Sequence, residues 1–259
     1  MTGKGMGYVF DEETAKAFDW WRRTTEGQYA LEQECETIRR ILRPQIGDSI
    51  LDVGSGPGFH LKTFKEWNMR PAGIDASPTM VEFAKQRLGF HIPVLEGFAE
   101  RLPFPDCNFD VVIFVTSLEF VDSPAQALRE AVRVARKKVV LVILNGYSWF
   151  VLSRQIDGLL SNDIYRKARF FNLWKLKKMI RRQVGISKIH WASNRIVKGF
   201  QSGSEDSVRT MRSFDSPFAR YIAVCVDLAV PVRQKGWVLS HKLAGNATSW
   251  AQRSSRVRL

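Results

Sequence analysis

The segment Ile50–His60 constrains the fold of this chain more than any other feature. It reads ILDVGSGPGFH: an apolar run leads into an acid, and three glycines then stand at alternate positions before a helical pattern begins. The pattern predicts a buried β-strand, a tight turn whose glycines let a ligand lie against the backbone, and the first turn of a helix. It lacks the G-x-G-x-x-G spacing of a dinucleotide fingerprint and the Lys-Ser/Thr pair of a P-loop.

Apolar strands alternate with amphipathic helices after this segment. Strands are predicted at 49–53, 72–74, 92–96, 109–115 and 139–144, and helices at 61–67, 78–88 and 124–135. Alternation of this kind predicts an α/β fold, a doubly wound and mostly parallel sheet. Two further strands, at 186–191 and 221–226, are joined by a connection without a helical pattern, which favours antiparallel pairing.

The outer parts of the chain suggest four regions. Helices at 10–21 and 27–42 form an N-terminal cap (1–47), followed by the ligand-binding core (48–145). A helix beginning after Asn172 and the late strands form a cover that completes the same domain (146–227). The remainder, 228–259, is polar and basic and is predicted to be a partly flexible tail.

Charge is distributed unevenly along the chain. Residues 1–125 hold 13 Lys and Arg against 19 Asp and Glu, whereas residues 126–259 hold 26 against 7. The basic half indicates an anionic partner such as a phospholipid surface, nucleic acid or an acidic substrate, and a merely solubilising surface is the alternative. Three scattered cysteines and a start without an apolar signal region predict a cytoplasmic protein.

Polar residues recur where the predicted strands end. Asp75 ends the second strand, where a carboxylate can accept hydrogen bonds from ribose hydroxyls, and a role as a helix-capping or turn residue is the alternative. Downstream stand Gly97–Asp106, which reads GFAERLPFPD, and Phe109–Phe120, which reads FDVVIFVTSLEF. Ligands bind at such strand ends in open parallel sheets, so these segments predict one site.

In order and spacing these segments resemble the motifs of class I S-adenosylmethionine-dependent methyltransferases. The outer segments resemble the bacterial small-molecule branch related to ubiquinone/menaquinone C-methyltransferases. The resemblance implies a Rossmann-like seven-stranded sheet and S-adenosylmethionine as the cofactor. Phe98 stands where the family has an acid, so the resemblance does not extend to side-chain recognition of the adenine. The cofactor-binding residues that it implies are Asp52, Gly54, Ser55, Gly56, Gly58, Asp75, Ala76, Met80, Ala99, Glu100 and Thr116.

Two residues are candidates for catalysis. Glu119 follows the fourth strand and is predicted to be a general base or substrate anchor, with a surface or capping role as the alternative. His60 follows the glycine turn and can reach the acceptor, or it packs on the first helix of the core. Tyr8, Trp20 and Trp21 are predicted to close over the methionine end of the cofactor or to pack in the core. No metal-ligand spacing is present, so no metal is predicted.

The sequence therefore favours methyl transfer to a small-molecule acceptor that is lipid-like or anionic. Apolar residues beside the basic helix that follows Asn172 also predict peripheral contact with an anionic membrane. An RNA methyltransferase is an alternative that uses the basic half to hold tRNA or rRNA, although no RNA-binding domain is visible. A non-enzymatic protein that binds S-adenosylmethionine is a third hypothesis. The sequence predicts neither the acceptor nor an oligomeric state.

Overall fold

A seven-stranded sheet forms the centre of the protein. The structure, a computed structural model, describes residues 8–149, 151–152, 167–185, 188–194, 196–197 and 213–228. The strands of this sheet are β1 Ser49–Val53, β2 Arg70–Asp75, β3 Val94–Glu96, β4 Phe109–Val115, β5 Ala135–Leu144, β6 Lys188–Ser193 and β9 Tyr221–Asp227. Their order is β3-β2-β1-β4-β5-β9-β6, with β1 to β5 parallel and β9 antiparallel to both of its neighbours. The predicted fold class is confirmed.

Helices cover both faces of the sheet. Residues of α2, α3 and α4 pack in one apolar cluster with one set of strand side chains, and residues of α5 and α6 pack with the alternate set. None of the described helices is long and apolar enough to span a membrane. The helices are α1 Glu12–Arg23, α2 Thr25–Leu42, α3 Phe59–Glu66, α4 Pro78–Leu88, α5 Pro124–Val134 and α6 Leu173–Val184.

Side-chain caps fix where several helices begin. Asp11 accepts a hydrogen bond from the Thr14 amide at the start of α1, and Asn172 accepts one from the Lys175 amide at the start of α6. Ser77 caps α4, with Pro78 as the first helical residue. These polar residues immediately precede apolar periodic segments, which is why the sequence predicts the helix starts well.

The start of β5 differs from the prediction. The strand begins at Ala135 rather than at 139 and includes Arg136 and Lys137. Their charges face acidic partners: Arg136 Nη1 lies 3.0 Å from Asp110 Oδ1, and Lys137 Nζ lies 2.8 Å from Asp48 Oδ1. Ion pairs with acids that are distant in sequence therefore allow these basic residues to lie in a strand.

A small antiparallel sheet of β7 (Ile196–Val197) and β8 (Ser213–Phe214) was not predicted. After it, Asp215 binds the Arg40 guanidinium at 2.7 and 2.8 Å, which connects this part of the chain to α2. The predicted basic tail lies outside the described residues except for Leu228.

Candidate active site

A cavity of about 1090 Å³ opens at the carboxyl ends of β1, β2 and β4. In open α/β sheets this edge is where ligands bind. All but two of the eleven predicted cofactor residues line it; Asp52 and Gly58 do not. The predicted residues that line the cavity are Gly54, Ser55, Gly56, Asp75, Ala76, Met80, Ala99, Glu100 and Thr116, together with His60.

The glycines of the turn serve two different purposes. Gly54 has a φ of 74°, and a Cβ atom there would lie 2.4 Å from Ser117 Cβ, so the turn packs against the end of β4. Gly56 has a φ of 52° and open space where a Cβ would stand, and it lines the cavity. Gly58 begins α3 in the left-handed conformation and lies behind the cavity wall. Gly56 is thus the glycine that presents backbone to a ligand.

Asp75 connects the glycine turn to the end of β2. Its Oδ2 accepts a hydrogen bond from the Gly56 amide at 2.7 Å, and its Oδ1 accepts one from the Ser77 amide at 2.9 Å. Burial raises the pKa of Asp75, and these amide hydrogen bonds oppose that shift. Ser77 is the residue that caps α4, so Asp75 stands in the turn before the helix and does not cap it. Each carboxylate oxygen keeps a second lone pair, so the same group can also accept a bond from a ligand.

Asp52 lies at the end of β1, beneath the cavity wall. Within the described residues, neither of its carboxylate oxygens has a hydrogen-bond partner. Burial, together with the charges of Asp75 and Glu34, raises its pKa to about 8. A buried carboxylate in this position favours a positively charged ligand nearby, because such a charge would stabilise its ionised form.

A buried ion-pair network lies at the same end of the cavity. The Arg22 Nη2 atom of α1 lies 2.9 Å from Glu34 Oε2 of α2, which lies 3.0 Å from His60 Nε2 of α3. Burial favours the neutral acid, but the charge of Arg22 and the contact with His60 outweigh it and lower the pKa of Glu34 to about 2. Arg22 Nη1 is buried without a hydrogen-bond partner in the described part of the chain. It can therefore bind an anionic group in the cavity.

His60 thus contacts both the cavity and the network. Its side chain is 8% exposed, and its Nε2 atom is engaged by Glu34. This contact explains its position without a role in proton transfer, and its catalytic role stays a prediction.

Thr116 has an uncommon backbone conformation where β4 ends. Its φ is 48°, a left-handed value that a β-branched residue rarely adopts, and its amide is held by the Val142 carbonyl at 2.8 Å. Thr116 lines the cavity. Strain of this kind is typical of residues that a fold holds in place for a ligand.

Glu119 is buried behind the cavity wall. Its Oε1 accepts a hydrogen bond from the Leu144 amide at 2.7 Å, and burial raises its pKa to about 8. The residues that line the cavity here are its neighbours Phe120 and Val121 and its partner Leu144. Its role as base or substrate anchor stays a prediction.

One of the remaining walls of the cavity follows β3. Phe98, Ala99 and Glu100 line one side, and Glu100 Oε1 accepts a hydrogen bond from the Ser123 amide. Phe98, which stands where the resembling family has an acid, contributes an aromatic ring to the wall and is 36% exposed.

The far wall, which we call the aromatic end, consists of Tyr8, Phe10, Phe120 and Tyr221. Phe10 and Phe120 pack edge to face at 5.3 Å, and Lys167 Nζ lies 4.1 Å above the Tyr8 ring. Arg220 also lines the cavity and lies over the Tyr221 ring. Of the residues predicted to close the cofactor site, Tyr8 and Trp21 line the cavity, whereas Trp20 is 70% exposed and does not.

No motif in the sequence points to Arg22, Glu34 or most of the aromatic end. A signal for Glu34 exists, because it lies four residues from both Ala30 and Ile38 and so on the buried face of α2. A charged residue on such a face needs a partner. The aromatic end has no comparable signal, because its residues come from distant parts of the chain.

A methyltransferase-domain family matches residues 51–143, which contain the glycine turn, Asp75 and Thr116. These residues are therefore similar to a methyltransferase domain, and the seven-stranded sheet has the class I methyltransferase fold. The match confirms the predicted enzyme class, an S-adenosylmethionine-dependent methyltransferase, and the predicted methyl donor. It ends before Leu144 and begins after α2, so most of the aromatic end lies outside it.

Known proteins resemble the domain over different lengths. An uncharacterized protein of Methanocaldococcus jannaschii is 28% identical over 183 residues, which are 70% of this chain and 82% of that protein. The demethylmenaquinone methyltransferase of Tropheryma whipplei is 31% identical over 105 residues, 40% of this chain and 44% of that enzyme. The chain therefore spans less than half of the second relative.

A solved S-adenosylmethionine-dependent methyltransferase of Thermotoga maritima has the same fold. Its TM-score is 0.63 at 22% identity, over 84% of this chain and 98% of that one. Together with the sheet order, this likeness establishes the architecture.

The polar groups around the cavity fit S-adenosylmethionine. The methionine end of this donor carries an ammonium, a sulfonium and a carboxylate. The structure provides the Asp52 carboxyl and the Arg22 Nη1 atom, both buried without hydrogen-bond partners among the described residues. Arg22 thus offers a charge opposite to that of the carboxylate, and Asp52, behind the cavity wall, would become negatively charged when a bound cation lowers its pKa.

Proposed function

We propose that this methyltransferase domain acts on a small-molecule acceptor that combines an apolar body with an anionic group. The observation that carries the proposal is the aromatic end of the cavity, where Lys167 lies over the Tyr8 ring. Aromatic walls bind an apolar body, and a cation at their edge favours an anion. The cavity volume, about 1090 Å³, exceeds the usual range for one drug-sized ligand and leaves room for donor and acceptor together.

The chain's own contribution to such a reaction is alignment. S-adenosylmethionine supplies an activated methyl group on its sulfonium. The glycine turn and Asp75 hold the donor, while Phe10 and Phe120 position the acceptor and exclude water. Glu119 is protonated at neutral pH because its pKa is about 8, so it is suited to donating a hydrogen bond rather than to removing a proton.

The names of the relatives support the proposal without deciding it. Demethylmenaquinone methyltransferase is named for an apolar acceptor. The similarity covers only 44% of that enzyme, and the family match does not include Tyr8, Lys167 or Arg220. The acceptor must therefore be identified with this protein itself.

Transfer of tritium from methyl-labelled S-adenosylmethionine tests the proposal. A deproteinised bacterial extract is separated into RNA and small molecules after incubation with the enzyme. We expect label in the small-molecule fraction, and we expect it to disappear if the extract first passes over an anion exchanger. Label in RNA would favour the RNA methyltransferase. Tight binding of S-adenosylhomocysteine without any transfer would favour the non-enzymatic alternative.

The variant Lys167→Gln tests the site of acceptor binding. Loss of one exposed cation is expected to raise KM for the extracted acceptor about fivefold, with kcat and the affinity for S-adenosylhomocysteine unchanged. Lys62→Gln removes an exposed lysine from α3 and serves as the control. An unchanged KM in Lys167→Gln would contradict the proposed orientation of the acceptor.

A further inference from the structure

Large aromatic side chains are exposed next to the aromatic end of the cavity. Trp149 is 80% exposed, Trp174 is 54% exposed and Tyr147 is 51% exposed. The rings of Tyr147 and Trp174 lie 6.1 Å apart, so residues from two separate segments meet at the surface. Rings of this kind with a polar edge are enriched where proteins meet a membrane interface.

Helix α6 places cations beside these rings. It contains five Lys and Arg and no acidic residue. Leu173, Leu176 and Ile180 face the core, and the exposed face carries Trp174, Lys175, Lys178, Arg181 and Arg182. These four cations form no ion pair within the described part of the chain. Their charge is therefore available to an external anion.

A shallow groove lies along this face of the helix. It is lined by Trp174, Lys177, Lys178, Arg181 and Arg182. Burial and the neighbouring charge of Arg181 lower the pKa of Lys177, which agrees with a concentrated positive charge. An anionic headgroup in the groove would relieve this repulsion.

A hydrogen bond joins the two segments of this surface, and one of these segments continues directly from the cavity wall. The Gly146 amide donates to the Phe171 carbonyl at 2.8 Å, which joins the segment after β5 to the start of α6. Leu144 lines the cavity, and Tyr147 follows it by three residues, a separation of at most about 11 Å. Leu144 pairs with Tyr221, so Tyr147 is close to the aromatic end of the cavity.

We propose that Tyr147, Trp149 and the exposed face of α6 form a docking surface for an anionic phospholipid bilayer. Indole and phenol rings enter the interface while the cations contact phosphate groups. The positive charge of this surface is complementary to an anionic leaflet. The cluster of exposed rings favours a membrane over other anionic partners, because such rings enter the interface. The inference is independent of the identity of the methyl acceptor.

Co-sedimentation with vesicles tests this surface. We expect the full-length protein to sediment with equimolar phosphatidylcholine and phosphatidylglycerol at physiological salt and to remain in solution with phosphatidylcholine alone. Each cation near such a surface contributes about a fivefold factor, so Lys178→Gln/Arg181→Gln should weaken binding about 25-fold. Lys62→Gln/Lys65→Gln removes the same charge from the exposed face of α3 and should have no effect.

The salt dependence of vesicle binding separates the contribution of the aromatic rings from that of the cations. Trp174→Ala should weaken binding at high salt as well as at low salt, because only the charge contribution is screened. Trp20→Ala removes an indole from α1 that is 70% exposed, more than Trp174, and is the control. The proposal fails if the protein does not sediment with anionic vesicles, or if the α6 and α3 variants behave alike. It also fails if the α6 variants lose affinity for tRNA and keep their affinity for vesicles, which would make this an RNA-binding surface.

Discussion

Three buried acids near the cavity show how neighbours decide the ionisation of a side chain. Asp52, Glu34 and Glu119 are each about 1% exposed, so all three lose the solvation of their charged form. Only Glu34 has cationic partners, and its pKa is about 2, whereas the pKa values of Asp52 and Glu119 are about 8. Of these three acids, Glu34 is therefore an anion near pH 7, whereas Asp52 and Glu119 are neutral.

Glu119→Gln should change how stability depends on pH. Folding raises the pKa of Glu119 from 4.5 to about 8, so the folded chain binds the extra proton between these values and stability falls as pH rises through them. Glutamine can still accept the hydrogen bond from Leu144 but cannot ionise. The variant should gain stability relative to the unmodified protein as pH rises, by at most ~1.4 kcal/mol per pH unit.

Urea denaturation at several pH values between 4.5 and 8 measures this difference. Glu96→Gln, at an exposed position on β3, is the control and should follow the unmodified protein. A parallel pH dependence in Glu119→Gln would show that Glu119 is not protonated in the folded state.

At position 116, a glycine variant should be more stable than an alanine variant, which is the reverse of their order inside a helix. Left-handed backbone costs an ordinary residue about 1–2 kcal/mol and costs glycine almost nothing. Thr116→Gly should therefore unfold with a free energy about 1 kcal/mol higher than Thr116→Ala. At Thr37, within α2, the order should be the opposite, with alanine the more stable. Thermal unfolding of the four variants measures both differences, and the same order at the two positions would exclude strain at Thr116.

At the scale of elements, the sequence predicts the parts of the fold that local chemistry determines. The bounds of β1 and β4 are predicted correctly, because their apolar runs are bordered by turn residues. The start of β5 is missed because Arg136 is held in a strand by Asp110, which is distant in sequence. The placement of β9 between β5 and β6 was not predicted either, since strand order depends on packing of the complete sheet.

The segment 8–10, which precedes α1 and which we call the strap, forms part of the cavity wall. The Tyr8 amide donates to the Phe120 carbonyl at 2.9 Å, and Ser77 Oγ donates to the Phe10 carbonyl at 2.7 Å. The segment 8–10 is thus fixed to the exit of β4 at one end and to the start of α4 at the other, and Tyr8, Val9 and Phe10 line the cavity.

Ser77→Ala should loosen this strap and weaken binding of S-adenosylhomocysteine about fivefold, the effect of one hydrogen bond of average strength. Ser123→Ala, at the same position of α5 but without a capping bond, controls for the loss of a serine hydroxyl, and a shortened chain separates the strap from the cap of α4. Isothermal titration measures the affinities. In a chain that begins at Asp11, Ser77→Ala should have little further effect; an undiminished effect would assign the loss to α4 rather than to the strap.

At the scale of the whole molecule, residues from both halves of the chain meet at the cavity. Glu34 and Asp75 line the cavity near the glycine turn, with Asp52 buried behind the wall, whereas Lys167 and Arg220 line it beside Tyr8 and Tyr221. This division follows the charge of the two halves of the chain, acidic up to residue 125 and basic beyond it. The sequence shows the imbalance, but only the folded sheet shows that both halves meet at one cavity.

This distribution of charge links donor binding to proton release. Asp52 is protonated at neutral pH because its pKa is about 8, and a cation bound beside it would lower that pKa. Binding should therefore release protons near pH 7. S-adenosylmethionine carries a sulfonium that S-adenosylhomocysteine lacks, so its binding should release more. Titration calorimetry in buffers of different ionisation enthalpy counts the protons, and Asp52→Asn should abolish the release. Equal release by Asp52→Asn and the unmodified protein would assign the proton to another group, for which Glu119→Gln is the next variant to measure.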